Sequence, residues 1–180
     1  MKKLFPVLIF GVLLGFGFAK KKLTADSTAS YIRYEMEHPL HDWDARSTAS
    51  KCMIVYDEEA SRIEAVAVSV PVKSFDSGNS NRDSHALEVL EALKYRNVTF
   101  TSTGISENAG QLSIQGNLTF HGVTHPIVIP AMKKTEGGQL KVEGRFEINM
   151  KDYEVSPPSL MGFRVKEKIR ISFLMVFKLM

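Results

Sequence analysis

The sequence has little that would support covalent cross-linking or a strongly charged surface. Its single cysteine, Cys52, excludes an internal disulfide. The 23 basic and 20 acidic residues leave a formal net charge of +3, and the basic residues are spread along the chain. This balance argues against a dedicated nucleic-acid surface, and we expect no nucleic-acid partner. Stability must come from packing, for which 180 residues provide enough chain.

The motifs that usually indicate catalysis are also missing. The sequence contains no phosphate-binding loop, nucleophile elbow or paired carboxylates. Arg82-Asp83-Ser84-His85 combines a base, an acid, a hydroxyl and an imidazole. Residues adjacent in sequence do not face one another as a catalytic triad must, however. We therefore expect a protein that is not an enzyme and that needs no cofactor.

Long apolar runs are absent except at the N-terminus. Lys2 and Lys3 precede an apolar segment over residues 4–18, and Gly17-Phe18-Ala19 has small residues at the two positions that a signal peptidase requires. This pattern predicts a signal peptide over residues 1–19 and a periplasmic or secreted protein. An uncleaved membrane anchor is the alternative, although the run is short for a bilayer span of about 20 residues.

Beyond this segment, apolar and polar residues alternate along most of the chain. Alternation with a period of two is typical of strands that bury one face. We predict eight strands, over residues 30–37, 52–56, 62–72, 97–103, 111–120, 127–133, 140–148 and 165–179. One short helix is predicted over residues 84–93, with Asp83 or Ser84 as its cap.

This set of elements favours an all-β fold, an eight-stranded antiparallel β-barrel with one short α-helix. Residues 20–28 are predicted to form a flexible N-terminus of the mature chain, and residues 29–180 to form the barrel domain. A barrel of eight strands is either filled by side chains or holds one small ligand. The pattern alone favours a filled interior, and a two-sheet sandwich fits the same alternation.

The stretch Gly116-Asn117-Leu118-Thr119-Phe120-His121-Gly122-Val123-Thr124-His125-Pro126 predicts a corner between two strands. Gly122 permits a bend, and Pro126, which has no N–H to donate, is predicted to end the ladder. His121 and His125 have the spacing of two ligands on a helix. Because the segment is predicted to be a turn, the helical zinc geometry does not apply.

A second histidine pair lies in His38-Pro39-Leu40-His41-Asp42-Trp43, after the first predicted strand. His38, His41 and Asp42 are candidate metal ligands, so a metal- or haem-handling envelope protein is one alternative function. Zinc or copper would need further ligands and supporting hydrogen bonds. A loop packed around Trp43 is the competing interpretation.

Two ordered motifs resemble the YceI-like family. The first motif consists of four segments, Ser74-Phe75-Asp76-Ser77-Gly78, Arg82-Asp83-Ser84-His85, Lys94-Tyr95 and Val98-Thr99-Phe100-Thr101-Ser102-Thr103. The second motif is the stretch from Gly116 to Pro126. The strand-rich ending after Asp152-Tyr153 also fits. The resemblance implies an eight-stranded lipocalin-like barrel with a helix and a periplasmic or secreted location. Some members of the family bind a polyisoprenoid chain inside the barrel.

With this resemblance, we expect non-catalytic binding, transport or storage of a long apolar ligand, isoprenoid or otherwise lipid-like, inside the barrel in the cell envelope. The expected tunnel lining is Leu112, Ile114, Leu118, Phe120, Val142, Phe146, Ile148, Ile171, Phe173 and Met175. Arg82 and His85 are expected at the rim, where Arg82 would meet a carboxylate or an anionic head group.

Other partners are less constrained by the sequence. We expect membrane contact only through the signal segment or during ligand exchange. The oligomeric state is left open, self-association included. A side-chain-filled barrel with a structural or partner-binding role is the remaining alternative.

Overall fold

The computed structural model describes residues 20–160 and 162–179. The predicted signal peptide lies outside the described residues. Within them the chain forms twelve strands and one α-helix. The elements are β1 (Lys20–Thr24), β2 (Tyr31–Met36), β3 (Trp43–Ser47), β4 (Lys51–Asp57), β5 (Arg62–Pro71), α1 (Ser80–Val89), β6 (Asn97–Asn108), β7 (Gln111–Phe120), β8 (Val123–Glu136), β9 (Gln139–Asn149), β10 (Ser159–Leu160), β11 (Phe163–Arg164) and β12 (Lys168–Lys178).

Ten of these strands form one antiparallel sheet in the order β1-β4-β5-β6-β7-β8-β9-β12-β2-β3, and β10 and β11 pair separately. The sheet curls on itself, and isolated backbone hydrogen bonds connect each of its two edges to another part of the fold. The Asp26 N–H donates to the Val176 carbonyl at 2.8 Å, and Arg46 and Asp76 exchange two bonds of 3.0 Å. The all-β class with one short helix is confirmed. The predicted count of eight strands is wrong, and the edges β1 and β3 are not joined to each other by a ladder.

Two strands of the ten-stranded sheet, β1 and β3, are missing from the prediction and have weak sequence signals. β1 carries three lysines, and Leu23 is its one fully buried residue. All five of its residues nevertheless pair with β4, so the predicted flexible segment begins as a strand. In β3 the buried residues are Ala45 and Ser47, whose small side chains give little apolar contrast.

Helix α1 begins four residues before its predicted start. The Asn79 side chain caps it by accepting hydrogen bonds from the N–H groups of Asn81 and Arg82, both at 3.1 Å. Asp83 lies inside the helix, and its carboxylate instead accepts from the Ser77 N–H at 3.2 Å. Leu93, predicted to be an apolar helix position, is 92% exposed. The polar residues before Arg82 resemble a loop, which hid the true first turn.

The bend at Gly122 is confirmed. His121 and Gly122 both have positive φ values, 50° and 79°, as the two central residues of a type I′ hairpin turn require. The predicted end at Pro126 is wrong, because β8 continues through it to Glu136. β8 pairs with β9 only from Ala131 onward, so its first half is paired on one side alone. Proline is tolerated in a strand at such an edge.

A 3₁₀ turn over Met150–Tyr153 covers this unpaired side of β8. A ring nitrogen of His125 lies 2.8 Å from the Asp152 carbonyl oxygen, and one of His121 lies 3.2 Å from the Tyr153 carbonyl oxygen. The two histidines of the corner therefore hold the turn against β8, a structural role for both.

The two ends of the curled sheet differ. Three segments connect strands at one end of the curled sheet, which we call the helix end. They are α1, the segment after β2 and the β10–β11 pair. At the opposite end, which we call the filled end, Ile63, Leu140 and Phe177 are at most 1% exposed. Phe177 is directly opposite Leu140 in the β12–β9 ladder. Side chains thus close the interior at this end.

Candidate binding cavity

A cavity of about 260 Å³ lies between the inner face of the curled sheet and α1. Its walls are formed mostly by valine, isoleucine, leucine, phenylalanine and methionine side chains from the sheet, and α1 adds Ala86, Leu87 and Val89. One water needs about 10–15 Å³ of such space, so the cavity exceeds that on the order of twentyfold. The interior is therefore not filled by side chains, contrary to what the alternation alone favoured.

Partial exposure of inward-facing residues marks where the cavity lies. Val68, Phe146 and Ile171 line the cavity and are only half-buried, although Phe146 and Ile171 alternate with outward polar neighbours. Ile63 and Phe177 also line it, but they are fully buried. The cavity therefore widens away from the filled end.

The structure places nine of the ten residues predicted to line a tunnel at the cavity wall. They are Ile114, Leu118, Phe120, Val142, Phe146, Ile148, Ile171, Phe173 and Met175. Leu112 is the exception. It is buried in the core near the start of β7, at the filled end, and does not reach the cavity. Contact of the nine with a ligand remains a prediction.

Part of the wall was not anticipated. β4 and β5 contribute Cys52, Ile54, Val66 and Val68, and α1 contributes Ala86, Leu87 and Val89. The valines at every second position of β5 carried the signal in the sequence. Burial raises the pKa of the Cys52 thiol to about 12, which leaves it a protonated, apolar part of the wall.

At the helix end the cavity wall becomes polar, and we call this part the mouth. Arg82 in the first turn of α1 places its guanidinium carbon 5.5 Å from the centre of the Trp43 ring, within the range of a cation–π contact. His85 also lines the mouth, but it is exposed, and its Nδ1 lies 3.7 Å from a Glu88 carboxylate oxygen. Both predicted rim residues are thus at the mouth.

Tyr34 lines the same part of the cavity and was not singled out by the sequence. Its ring lies 5.3 Å from that of Phe75, centre to centre. Burial, with a smaller contribution from the nearby Asp83 carboxylate, raises the pKa of Tyr34 to about 12, and Arg82 opposes this shift. The phenol therefore keeps its proton at neutral pH.

The candidate metal ligands lie outside the cavity and are engaged locally. His38 Nδ1 accepts a hydrogen bond from the Leu40 N–H at 3.2 Å, and its Nε2 lies 3.4 Å from the Phe163 carbonyl oxygen. The Asp42 carboxylate accepts from the His38 N–H at 3.2 Å, and the His41 ring lies 6.0 Å from Trp43. Across residues 20–160 and 162–179, no group of three or more His, Cys, Asp or Glu residues is arranged to hold a metal ion. The structure gives the metal hypothesis no support.

In the same described part of the chain, no helix is both long enough and apolar enough to cross a membrane.

Comparisons with known proteins relate this fold to a family. The sequence model of the YceI-like domain matches residues 23–177. The protein YceI of Salmonella newport (strain SL254) is 26% identical over 152 residues, which cover 77% of each protein. YceI of Salmonella agona (strain SL483) is 26% identical over 170 residues, covering 80% of this chain and 86% of the relative.

Two solved structures share the fold. BcnA of Burkholderia cenocepacia matches with a TM-score of 0.76 over 84% of this chain and 98% of its own, at 17% identity. A polyisoprenoid binding domain from Saccharophagus degradans matches with a TM-score of 0.70 over 88% and 98%, at 15% identity. Because the family's domain spans nearly all of the described residues, the chain belongs to the YceI-like family.

Proposed function

We propose that this protein binds a long apolar molecule of the isoprenoid type in the cavity and carries or stores it without covalent chemistry. The observation that carries the proposal is an apolar cavity that is filled by side chains at one end and has a polar mouth at the other. A relative with the same fold, from Saccharophagus degradans, is a polyisoprenoid binding domain.

The energetics of the cavity support an occupant. Side chains that line an empty apolar cavity lack contact partners on one side and lose the dispersion energy that those contacts would supply. An apolar ligand restores the missing contacts and removes its own apolar surface from water.

We further propose that the protein acts in the periplasm or outside the cell. The support is the basic, apolar and small-residue order of residues 1–19. Cell fractionation with N-terminal sequencing of the recovered protein tests this. An N-terminus at Lys20 in the envelope fraction is expected, and intact protein confined to the cytoplasm would refute it.

Native mass spectrometry of protein purified from its own source tests the binding function. An added mass that dissociates as a long apolar molecule is expected. Phe146→Asp, which places a charge in the cavity wall, should lose that ligand, whereas Arg145→Ala on the exposed face of β9 should retain it. Recovery of ligand-free protein that takes up neither polyprenol nor squalene would overturn the proposal.

A further inference from the structure

The outer surface of the curled sheet is divided into a charged half and an uncharged half. On the charged half, one row crosses β9, β12, β2 and β3 as Glu147, Arg170, Glu35 and Asp44, each directly opposite the next. Ion pairs join neighbouring strands here, and Arg33 Nε lies 2.8 Å from an Asp44 carboxylate oxygen. Charged side chains of both signs therefore cover this half.

The outward side chains of β4, β5, β6, β7 and β8 form the uncharged half. Its central row crosses all five strands, each residue directly opposite the next, as Met53, Ala67, Thr101, Asn117 and Pro126. The row beside it, toward the helix end, crosses β5–β8 as Ser69, Thr99, Thr119 and Thr124. On the other side, over β6–β8, uncharged outward residues continue as far as Met132. We call the two rows and this continuation the neutral face.

The neutral face also exposes large apolar side chains. Met53, Val128 and Met132 are 53%, 57% and 45% exposed. Such residues need no explanation when they are scattered singly over a charged surface. Here they share one face with uncharged polar residues, and charged residues are depleted at the centres of protein interfaces. The composition of the neutral face is therefore typical of an interface.

The chemistry of the neutral face favours a second copy of the same chain as its partner. Hydroxyl and amide side chains both donate and accept hydrogen bonds, so two identical faces can satisfy each other. The hydroxyl oxygens of Thr119 and Thr124, 2.8 Å apart, make such a pair within one chain. Two copies that met through this face would bring no like charges together, whereas an acidic or basic partner would find no complementary charge on it.

The size of the neutral face suits a dimer that dissociates on dilution. Five strands about 4.8 Å apart, with a length of roughly 25 Å along β8, give on the order of 600 Å² in projection. A standard interface buries about 800 Å² on each partner, and smaller ones are typical of weaker complexes.

We infer that the neutral face is the interface of a homodimer, in which two copies pack their sheets face to face about a two-fold axis. The inference goes beyond the proposed function and does not depend on it. Phe100 and Leu118, which alternate with residues of the neutral face, line the cavity on the opposite side of the sheet. Thr101 is the middle residue of the central row, so an axis through the centre of the face brings it against its own copy.

Sedimentation equilibrium of the purified protein tests the inference. We expect a dimer whose dissociation constant changes less than about twofold between roughly 50 and 500 mM NaCl, because the interface carries no charge. Thr101→Lys and Thr101→Glu should each raise this constant at least about tenfold, because each opposes two like charges. An equimolar mixture of the two variants should dimerise again, since lysine then meets glutamate.

Thr135→Lys is the matched control, because Thr135 is exposed near the end of β8 and lies outside the neutral face. It should dimerise as the wild type does, and thermal unfolding checks that every variant is folded. A photo-reactive benzophenone side chain at residue 117 should cross-link to give an adduct of twice the mass of the chain.

Four results would overturn the inference, and none of them bears on ligand binding in the cavity. They are a wild type that stays monomeric at about 0.2 mM, far above the micromolar range, a dimer that Thr101→Lys leaves intact, and an equal loss of dimer in Thr135→Lys. The fourth is a cross-linked adduct of another mass alone, which would assign the face to a different partner.

Discussion

The ring of Phe100 lies directly over Gly116, so closely that a Cβ at residue 116 would stand 2.4 Å from Phe100 Cζ and 2.5 Å from the Thr101 carbonyl oxygen. A similar relationship joins Phe173 to Gly144, where a Cβ would stand 2.7 Å from the ring. Both rings line the cavity. The absence of a side chain at these two glycines leaves the room that the aromatic rings occupy against the sheet.

Gly116→Ala should destabilise the protein by about 1–3 kcal/mol, because the methyl group would overlap both a ring and the backbone. Denaturant-induced unfolding measures the change. Gly104→Ala is the matched control in the neighbouring strand, since a Cβ there meets its nearest atom, on Gln115, at 3.7 Å. Equal stability of the two variants would contradict this account of Gly116.

Filling the cavity should remove binding without unfolding the protein. Ile148→Trp directs a larger ring into the cavity from β9, whereas Glu147→Trp places the same ring on the exposed face of that strand. We expect at least a tenfold loss of polyprenol affinity in Ile148→Trp alone, with its melting temperature maintained or raised. Unchanged affinity in Ile148→Trp would show that ligand does not occupy this space.

Asp26 should make folding sensitive to acid. Hydrogen bonds from the Thr28 hydroxyl, then from Lys178, lower the pKa of its carboxyl to about 2 from 3.8. The folded state therefore favours the ionised form. This stabilisation is present above pH 3.8 and is lost as the pH falls toward 2. Asp26→Asn should lower the melting temperature at pH 7, and the difference from the wild type should shrink toward pH 2. A difference independent of pH would count against the effect.

Cys52 should resist alkylation in the folded protein. Burial raises the pKa of its thiol to about 12, so the reactive thiolate is scarce at pH 8. Iodoacetamide at that pH should leave native protein unmodified and label urea-unfolded protein at one site, as mass spectrometry would show. Rapid labelling of the native protein would mean that this part of the wall opens.

How well the sequence predicted each element depended on the size of its inward residues. β7 was predicted with its observed bounds because Leu112, Ile114, Leu118 and Phe120 are all large and alternate with polar neighbours. β3 was missed because it buries the small Ala45 and Ser47. Alternation of apolar and polar residues indicates which face of a strand points inward, but the indication is weak when the inward side chains are small.

The cavity itself could not be predicted from alternation. The pattern identifies inward residues, but whether they fill the interior depends on how widely the sheet curls, and width grows with strand number. The two unpredicted strands of the sheet therefore bear directly on whether the interior holds a cavity. At the mouth, the sequence predicted Arg82 but not Tyr34, because Tyr34 lies in β2 and Arg82 in α1, and only the fold brings the two to one cavity.

Because side chains close the filled end, the cavity has a fixed depth from its mouth, and that depth would select ligands by chain length. A ligand of the proposed kind that enters tail first would stop at Ile63 and Phe177, with its other end at the mouth. A shorter tail leaves space above this floor, and a longer one pushes that other end out into solvent. Affinity across a series of prenyl chains should therefore pass through a maximum at one chain length. Simple partitioning into an apolar interior would instead make affinity rise steadily with length.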